Sequence, residues 1–281
     1  MTCYRKTRVQ ECADEVNRLH KVLEGANVKL VAVATDILGV SGRRTLEALL
    51  GRETDPDVLA DLARGRLRGK LPELRRALKG RVKPYHLILI TRILAHIDFL
   101  EASLHQLQEE VDQAQDPFAE AVALLQTIPG VGAVAATALV AEIGVDMSRF
   151  PSAKHLASWA GVYPGNKQSG GKRLAGKATH GNPWLRAVLG EATWAAALSK
   201  DTYFNAQFKR IARRRGRLKA VDAVTPSILT ATYVMLCDHT PYKDRGADYF
   251  DKLDAARIER HHVARLERLG YTVTLSPKNA A

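Results

Sequence analysis

Two heptad patterns constrain the fold of this chain most strongly. The first alternates spacings of three and four over Val9, Cys12, Val16, Leu19, Leu23, Ala26 and Leu30. The second does the same over Ile93, Ile97, Leu100, Leu104, Leu107, Val111 and Ala114. Apolar residues spaced in this way form a stripe along one face of a helix, and this stripe packs against a partner. The patterns predict two long helices in an antiparallel coiled coil or a dimerisation stalk, with an ordinary helical bundle as the alternative.

The first heptad can be extended through Val33, Ile37 and Val40. This extension favours a helix over the competing interpretation of residues 30–38 as a strand ending in Asp36, as found in metal-dependent nucleases. Shorter helices are predicted to start at Ser41 and Asp55, which are both suitable N-cap residues. A later helix is predicted to start at Asn182-Pro183, where Asn182 is the N-cap and proline takes the first helical position. The second long helix is predicted from about residue 84 to 115.

Asp116-Pro117 interrupts the second heptad and marks the predicted domain boundary, because proline disfavours a helical residue before it. The predicted fold is mainly α, with long coiled-coil helices followed by a compact helical domain. We divide the chain into a coiled-coil region for linkage or oligomerisation (1–116), a compact domain (117–250) and a charged helical tail (251–281). The tail is predicted to end in a short strand, Tyr271 to Leu275.

A glycine-rich turn joins two apolar helices at Ile128-Pro129-Gly130-Val131-Gly132. The second helix presents free backbone amides at its start, and such amides bind phosphate together with the helix dipole. This pattern is typical of the helix-hairpin-helix element that grips a DNA backbone, so Gly130, Val131 and Gly132 are candidate nucleic-acid contacts. The alternative is a plain αα-hairpin in which glycine serves packing.

Positive charge is concentrated in one quarter of the chain. The formal net charge of the 281 residues is +12. Residues 151–220 contain fourteen Lys or Arg residues against two carboxylates, Glu191 and Asp201, and so carry the whole surplus. A local surplus of this kind indicates an anionic partner, and a nucleic-acid backbone is the obvious one.

The centre of this quarter is a glycine-rich loop, residues 161–186, and no carboxylate occurs from Met147 to Gly190. Ser169 lies in the middle of this loop. The candidate nucleic-acid contacts of the loop and its flank are Lys167, Gly170, Gly171, Lys172, Arg173, Lys177 and Arg186. The alternative is a flexible, solvated surface loop.

A second cationic stripe is predicted on the helix after Asp201, which is its predicted N-cap. Arg210, Arg213, Arg214 and Arg217 recur there at i, i+3, i+4 and i+7. Such a stripe can be a solvated helix face, but one with so few acids more often meets phosphate. The next segment, Leu218 to Asp238, is the most apolar and is predicted to be the buried helix of the domain. Pro226 is expected to kink or split it.

Cysteines and histidines show no metal-ligand spacing, and the three cysteines are typical of reduced thiols in a cytosolic protein. No secretory signal is seen, and no apolar run reaches the ~18 residues that a membrane span needs. We therefore expect a cytoplasmic protein with no membrane partner and no metal ligands of its own.

Long stretches of the sequence resemble the transposases of the insertion-sequence 110 family, also called the 116/110/902 type. The resemblance rests on LLQTIPGVGAVAATALVAEIG, FPSAKHLASWAGVYPGNKQSGGKR, GNPWLRAVLGEATWAA and PYKDRGADYF, and it covers nearly the whole chain. It implies the carboxy-terminal domain of a DNA transposase, in which the serine after the Gly-x-x-Pro motif, here Ser169, is the nucleophile that forms a transient phosphoserine link to DNA. It also implies a structured guide RNA as a partner. The heptad patterns, in addition, predict a homo-oligomer joined through the coiled coil.

Members of that family also carry an amino-terminal RuvC-like domain whose four acidic residues hold Mg²⁺. No residue of this chain matches those ligands, so we expect a truncated chain that needs a metal-binding domain for DNA strand cleavage and transfer. One competing hypothesis is a fragment that binds nucleic acid without catalysis. Another is a DNA-repair protein that uses its helix-hairpin-helix element.

Overall fold

The computed structural model describes residues 1–163, 167–174 and 180–275, with the backbone alone for 167–169 and 172–174. The prediction of a mainly α fold is confirmed. Two compact units are present, Met1–Ala114 and Gln115–Ala281. Each has its own hydrophobic core. The finer division at residues 116 and 250 stays a prediction.

The first unit contains six α-helices. They are α1 (Thr2–Gly25), α2 (Leu30–Val33), α3 (Val40–Leu50), α4 (Pro56–Asp61), α5 (Leu71–Ala77) and α6 (Pro84–Gln115), with a 3₁₀ turn at Gly65–Lys70. The second long helix has the predicted bounds. The first heptad, in contrast, does not continue as one helix to Val40. Helix α1 ends at Gly25 because Asn27 adopts a φ of 55° and Val28 N–H turns back to the Leu23 carbonyl at 2.8 Å.

Helices α1 and α6 run antiparallel within the chain. His96 Nδ1 lies 2.9 Å from Glu15 Oε1, and the Gly25 end of α1 lies beside His86 at the start of α6. Burial raises the pKa of the Cys12 thiol, and the nearby Glu101 carboxylate adds to this effect. Leu19 and Leu23 share a buried core with Ile90, Leu94 and Ile97. Knobs-into-holes packing between the two helices stays a prediction.

The predicted helix caps have different outcomes. The Asp55 side chain accepts from Asp57 N–H at 2.9 Å and caps α4 as predicted. Helix α3 begins at Val40 with Gly39 as its N-cap, so Ser41 lies inside the helix. The Ser41 hydroxyl instead accepts from Arg64 N–H at 2.9 Å.

The second unit contains eight α-helices and one β-hairpin within its described residues. They are α7 (Ala119–Leu125), α8 (Ala133–Ile143), α9 (Ala153–Trp159), β1 (Lys167–Ser169), β2 (Lys172–Leu174), α10 (Pro183–Leu198), α11 (Tyr203–Arg215), α12 (Arg217–Asp238), α13 (Tyr249–Leu253) and α14 (Ala255–Glu267). Asn182 caps α10 as predicted, because its Oδ1 accepts from Trp184 and Leu185 N–H. Thr202, and not Asp201, caps α11, since the Thr202 hydroxyl accepts from Asn205 N–H.

Helix α12 is the central helix of the second core. It contacts α7, α9, α10 and α11, and Val224, Ile228 and Leu229 are fully buried. Pro226 does not split it: the helix is continuous from Arg217 to Asp238. Burial of the apolar side chains on both sides of Pro226 offsets the ~3 kcal/mol that an internal proline costs.

By length and composition, α12 is also the one helix of the described residues that could cross a membrane. However, 56% of its most apolar window is buried inside the protein, as expected for a core helix. At the end of the chain, Tyr271 to Leu275 do not form the predicted strand, because none of the described segments pairs with them.

Candidate nucleic-acid interface

The β-hairpin places Ser169 beside a two-residue turn. Strands β1 and β2 pair antiparallel, and Ser169 is opposite Lys172 in the register. The two residues between them, Gly170 and Gly171, have φ values of 55° and 75°. Positive φ at both central positions is the requirement of a type I′ turn, which matches the twist of a hairpin. Glycine adopts this conformation without the steric cost that other residues incur.

The tip of the hairpin is open. Gly170 and Gly171 are exposed, and a Cβ atom added at either would meet no other described atom within 4 Å. The other two strand pairs are Gln168 with Arg173 and Lys167 with Leu174. Lys167, Lys172 and Arg173 therefore belong to the same short hairpin as Ser169, whereas Lys177 lies outside the described residues.

A cavity of about 1140 Å³ lies beside the start of this loop. Gly161, Val162 and Tyr163 form part of its wall, followed by Pro183 at the start of α10. Its cationic lining comes from three helices and consists of Arg186, Arg214, Arg215 and Lys219. Asp222 is the single carboxylate among the described lining residues. The cavity therefore has a strong positive charge, which suits a phosphate-bearing ligand.

Sequence reasoning missed three of these lining residues: Arg215, Lys219 and Asp222. Arg215 falls off the predicted i, i+3, i+4 stripe, and Lys219 and Asp222 lie in the first turns of the apolar helix α12. The overall charge of residues 151–220 included both cations, but it did not show which helices meet. Their convergence depends on the packing of α10 and α11 against α12.

The predicted cationic stripe on α11 is interrupted. Helix α11 ends at Arg215, and Gly216 has a φ of 83°, so Arg217 starts a new helix and does not continue the stripe. The Arg217 guanidinium lies over the Trp194 ring at 5.2 Å. Arg213 and Arg214 are exposed in the last turn of α11, where the negative end of the helix dipole also favours cations.

Arg210 has an internal partner that the sequence pattern did not indicate. Its guanidinium donates to Asp254 Oδ2 at 2.8 Å and lies 5.0 Å from the centre of the Phe250 ring. Asp254 precedes α14 and is far away in the sequence. Arg210 therefore connects α11 to the carboxy-terminal helices, and it already has a carboxylate partner within the protein, which it shares with Arg257.

The glycine-rich turn before α8 combines a packing role with an open helix end. A Cβ atom at Gly130 would lie 2.3 Å from Ala196 N of α10, so this glycine permits close backbone contact. Val131 is buried, and its N–H donates to the Ile128 carbonyl at 3.0 Å. Gly132 is exposed at the N-cap position of α8, and no acidic residue lies in the first turn. The amides available to a phosphate are thus those that follow Gly132.

The described residues do not fit a metal centre. No three His, Cys, Asp or Glu side chains among them lie close enough to share an ion. Asp222 alone cannot provide the several oxygen ligands that Mg²⁺ requires. We therefore assign no step of any reaction to a metal held by the described part of this chain.

The sequence comparisons match the second unit of the chain. Residues 122–209 match the sequence model described as Transposase IS116/IS110/IS902 family. The pilin gene-inverting protein of Moraxella bovis is 32% identical over 126 residues, which cover 43% of this chain and 38% of that protein. The 43.6 kDa protein of insertion element IS110 from Streptomyces coelicolor is also 32% identical over 126 residues, 43% of this chain and 30% of that protein.

A third relative is the transposase for insertion sequence element IS1328 of Yersinia enterocolitica. It is 30% identical over 109 residues, which cover 38% of this chain and 31% of that protein. The chain therefore spans well under half the length of each of these relatives. The matched segment runs from α7 into α11 and contains the hairpin. The resemblance seen in the sequence is confirmed for this part of the chain, which matches the IS116/IS110/IS902 transposase family.

Proposed function

We propose that the chain acts in DNA transposition or recombination, and that Ser169 is the nucleophile that attacks the DNA. The observation that carries this proposal is the position of Ser169 next to the exposed Gly170-Gly171 turn of the hairpin. Gly170 and Gly171 are exposed, so among the described residues this end of the hairpin is accessible to a phosphodiester. The family match and the names of the relatives support DNA as the substrate.

The proposed reaction is an exchange of phosphodiester bonds. The serine oxygen attacks phosphorus, a bond forms between Ser169 Oγ and the phosphorus atom, and the bond to one DNA oxygen breaks. The serine proton ends on the departing DNA hydroxyl, so atoms and charge balance. Negative charge builds up on the phosphoryl oxygens in the transition state, and nearby cations stabilise it. The cavity wall formed by Arg186, Arg214, Arg215 and Lys219 supplies such cations on the same unit.

We propose that the phosphate backbone of the bound DNA contacts two further features. One is the start of α8, where the amides after Gly132 face solvent. The other is the arginine-rich last turn of α11, including Arg213. The alternative assignment, binding of nucleic acid without chemistry, rests on the same cations and differs only in the role of Ser169.

The experiment that tests this proposal compares recombination with DNA binding in one variant. The chain is expressed with its own flanking DNA and together with the RuvC-like metal-binding domain that it is expected to need, and recombination products are counted by sequencing. Ser169→Ala is expected to abolish recombination while DNA affinity stays within about twofold, because the hydroxyl contributes little to phosphate binding. Unchanged recombination would falsify the assignment of Ser169.

We further propose that the chain forms homo-oligomers through α6. The heptad residues Ile97 and Leu100 are buried within the chain itself. A different face of α6 remains exposed: Tyr85, Ile88, Leu89 and Phe99 are between 44% and 62% accessible. Their spacing puts them on one side of the helix, together with the exposed Arg92 and His96, and large apolar side chains exposed on one side of a helix are typical of protein interfaces.

A further inference from the structure

A second cationic surface lies in the first unit, outside the charge-rich quarter. Between Arg64 and Lys83 the chain has nine Lys or Arg residues and one carboxylate, Glu73. Within the described part of the chain, Arg75 is the one cation of the nine with ion-pair partners, and these are Asp57 and Asp61. The members of this unit 1 basic surface, as we name it, are Arg44, Arg64, Arg66, Arg68, Lys70, Arg76, Lys79, Arg81 and Lys83.

These cations point outward because the apolar residues between them anchor the segment. Leu74 and Leu78 are buried in the first core, and Leu67 packs against it. The 3₁₀ turn Gly65–Lys70 has no buried residue. The segment therefore packs against the core through its apolar side chains and presents its charged side chains to solvent.

Both ends of the segment are tied to the rest of the unit. Ser41 Oγ accepts from Arg64 N–H at 2.9 Å, and Arg81 N–H donates to the Ala26 carbonyl at 2.7 Å. Gly80 packs against the backbone of Ala26, because a Cβ atom added at Gly80 would lie 2.8 Å from Ala26 O. The backbone that carries these cations is thus fixed at both ends before any ligand arrives, which lowers the entropic cost of binding.

Three guanidinium groups converge on one depression of this surface. Arg44, Arg64 and Arg68 line a hollow of about 420 Å³ together with Asp61, which the Arg75 guanidinium already contacts at 3.5 Å. The hollow thus has three cations against one carboxylate, and this carboxylate is already paired with Arg75, so the hollow attracts an anion. Guanidinium groups bind phosphate through paired hydrogen bonds.

We propose that the unit 1 basic surface binds the phosphodiester backbone of a nucleic acid, as a site separate from the one around Ser169. The hollow accepts one phosphate, and the cations from Arg76 to Lys83 extend the contact along the strand. The proposal stands on the first unit alone and does not depend on the chemistry assigned to Ser169.

The test uses the full chain and two fluorescent probes, a 30-base-pair DNA duplex and an RNA hairpin of equal charge. One variant combines Arg44→Gln, Arg64→Gln and Arg68→Gln. The matched control removes three charges elsewhere on the same unit with Lys21→Gln, Arg52→Gln and Arg92→Gln. Thermal melting verifies that both variants fold.

We expect the first variant to bind at least one probe about tenfold more weakly than the parent protein. The slope of log K against log[salt] should also become smaller in magnitude, by about 2–3. The control should change affinity by less than about threefold, since scattered charges make no direct contact. Loss for one probe only identifies that probe as the partner. Equal behaviour of the two variants on both probes would overturn the proposal. The comparison is then repeated with Arg214→Gln and Lys219→Gln added to both variants. A difference between the variants that persists in this background belongs to the unit 1 basic surface and not to the site around Ser169.

Discussion

Ser169 is paired with Lys172 across the tip of the β-hairpin. The pairing depends on a turn in which both central residues have positive φ. The position of the proposed nucleophile therefore depends on the backbone conformation of Gly170 and Gly171. A substitution that disfavours this conformation should impair the reaction.

Gly170→Val is expected to impair recombination without touching Ser169. A φ of 55° costs a non-glycine residue about 1–2 kcal/mol, which lowers the population of the closed hairpin about tenfold. Gly170→Asn is the matched control, because Asn-Gly is favoured in type I′ turns. Recombination assays on both variants check this expectation, and equal activity of the two would show that the turn does not position the serine.

Arg214 and Arg210 are predicted to respond differently to the same change, although both were candidates in one stripe. Arg214→Gln should weaken DNA binding and lower the salt slope by about 0.9, the contribution of one phosphate contact. Arg210→Gln should leave the slope unchanged and reduce the free energy of unfolding by about 1 kcal/mol, because it loses the contacts to Asp254 and Phe250. Binding isotherms at several salt concentrations and thermal melts distinguish the two outcomes. A steeper loss of binding for Arg210→Gln would contradict its structural role.

Tyr242 is predicted to limit stability at high pH. Burial raises the pKa of its phenol above the ordinary value near 10, and the Asp244 carboxylate adds to the effect. The unfolded chain thus loses this proton at lower pH than the folded protein does. The contribution of Tyr242 is fully present below pH 10 and is lost as the pH rises from there.

Tyr242→Phe should therefore reduce the fall in melting temperature between pH 9 and pH 11. Tyr271→Phe, at an exposed position, serves as the control and should behave like the parent protein. An identical alkaline profile for both variants would refute the burial effect. Circular dichroism melts at each pH provide the measurement.

Self-association is predicted to depend on the exposed stripe of α6. Ile88→Lys combined with Phe99→Lys should convert an oligomer into a monomer, since each lysine would have to be buried at the interface. Val58→Lys and Val9→Lys introduce the same charges at other exposed apolar positions and should not change the mass. Light scattering after size-exclusion chromatography reports the mass. An unchanged oligomer would locate the interface elsewhere.

The sequence predicted the elements whose signals are local. Heptad spacing gave the bounds of α6, and Asp55-Pro56 and Asn182-Pro183 gave two helix starts. It failed where distant residues decide the outcome. The end of α1 depends on the positive φ of Asn27, and Pro226 lies within an unbroken helix because its neighbours are buried.

The candidate site shows the same limit. Charge counting found the quarter of the chain that contains the cationic lining of the cavity, whereas the hairpin within the glycine-rich loop was not predicted. The internal partner of Arg210 is Asp254 on a later segment, and the cavity residues Arg215 and Lys219 come together through packing of α11 and α12. Neither relationship leaves a periodic signal in the sequence.

The most direct measurement of the central claim is to identify the residue that becomes linked to DNA. The chain is expressed with its flanking DNA and together with the RuvC-like metal-binding domain that it is expected to need. Recombination intermediates are trapped by rapid denaturation, and the protein–DNA adduct is digested and sequenced by mass spectrometry. The proposal predicts a nucleotide attached to the peptide that contains Ser169, and no adduct in Ser169→Ala. An adduct on another residue, or active recombination with no adduct, would contradict it.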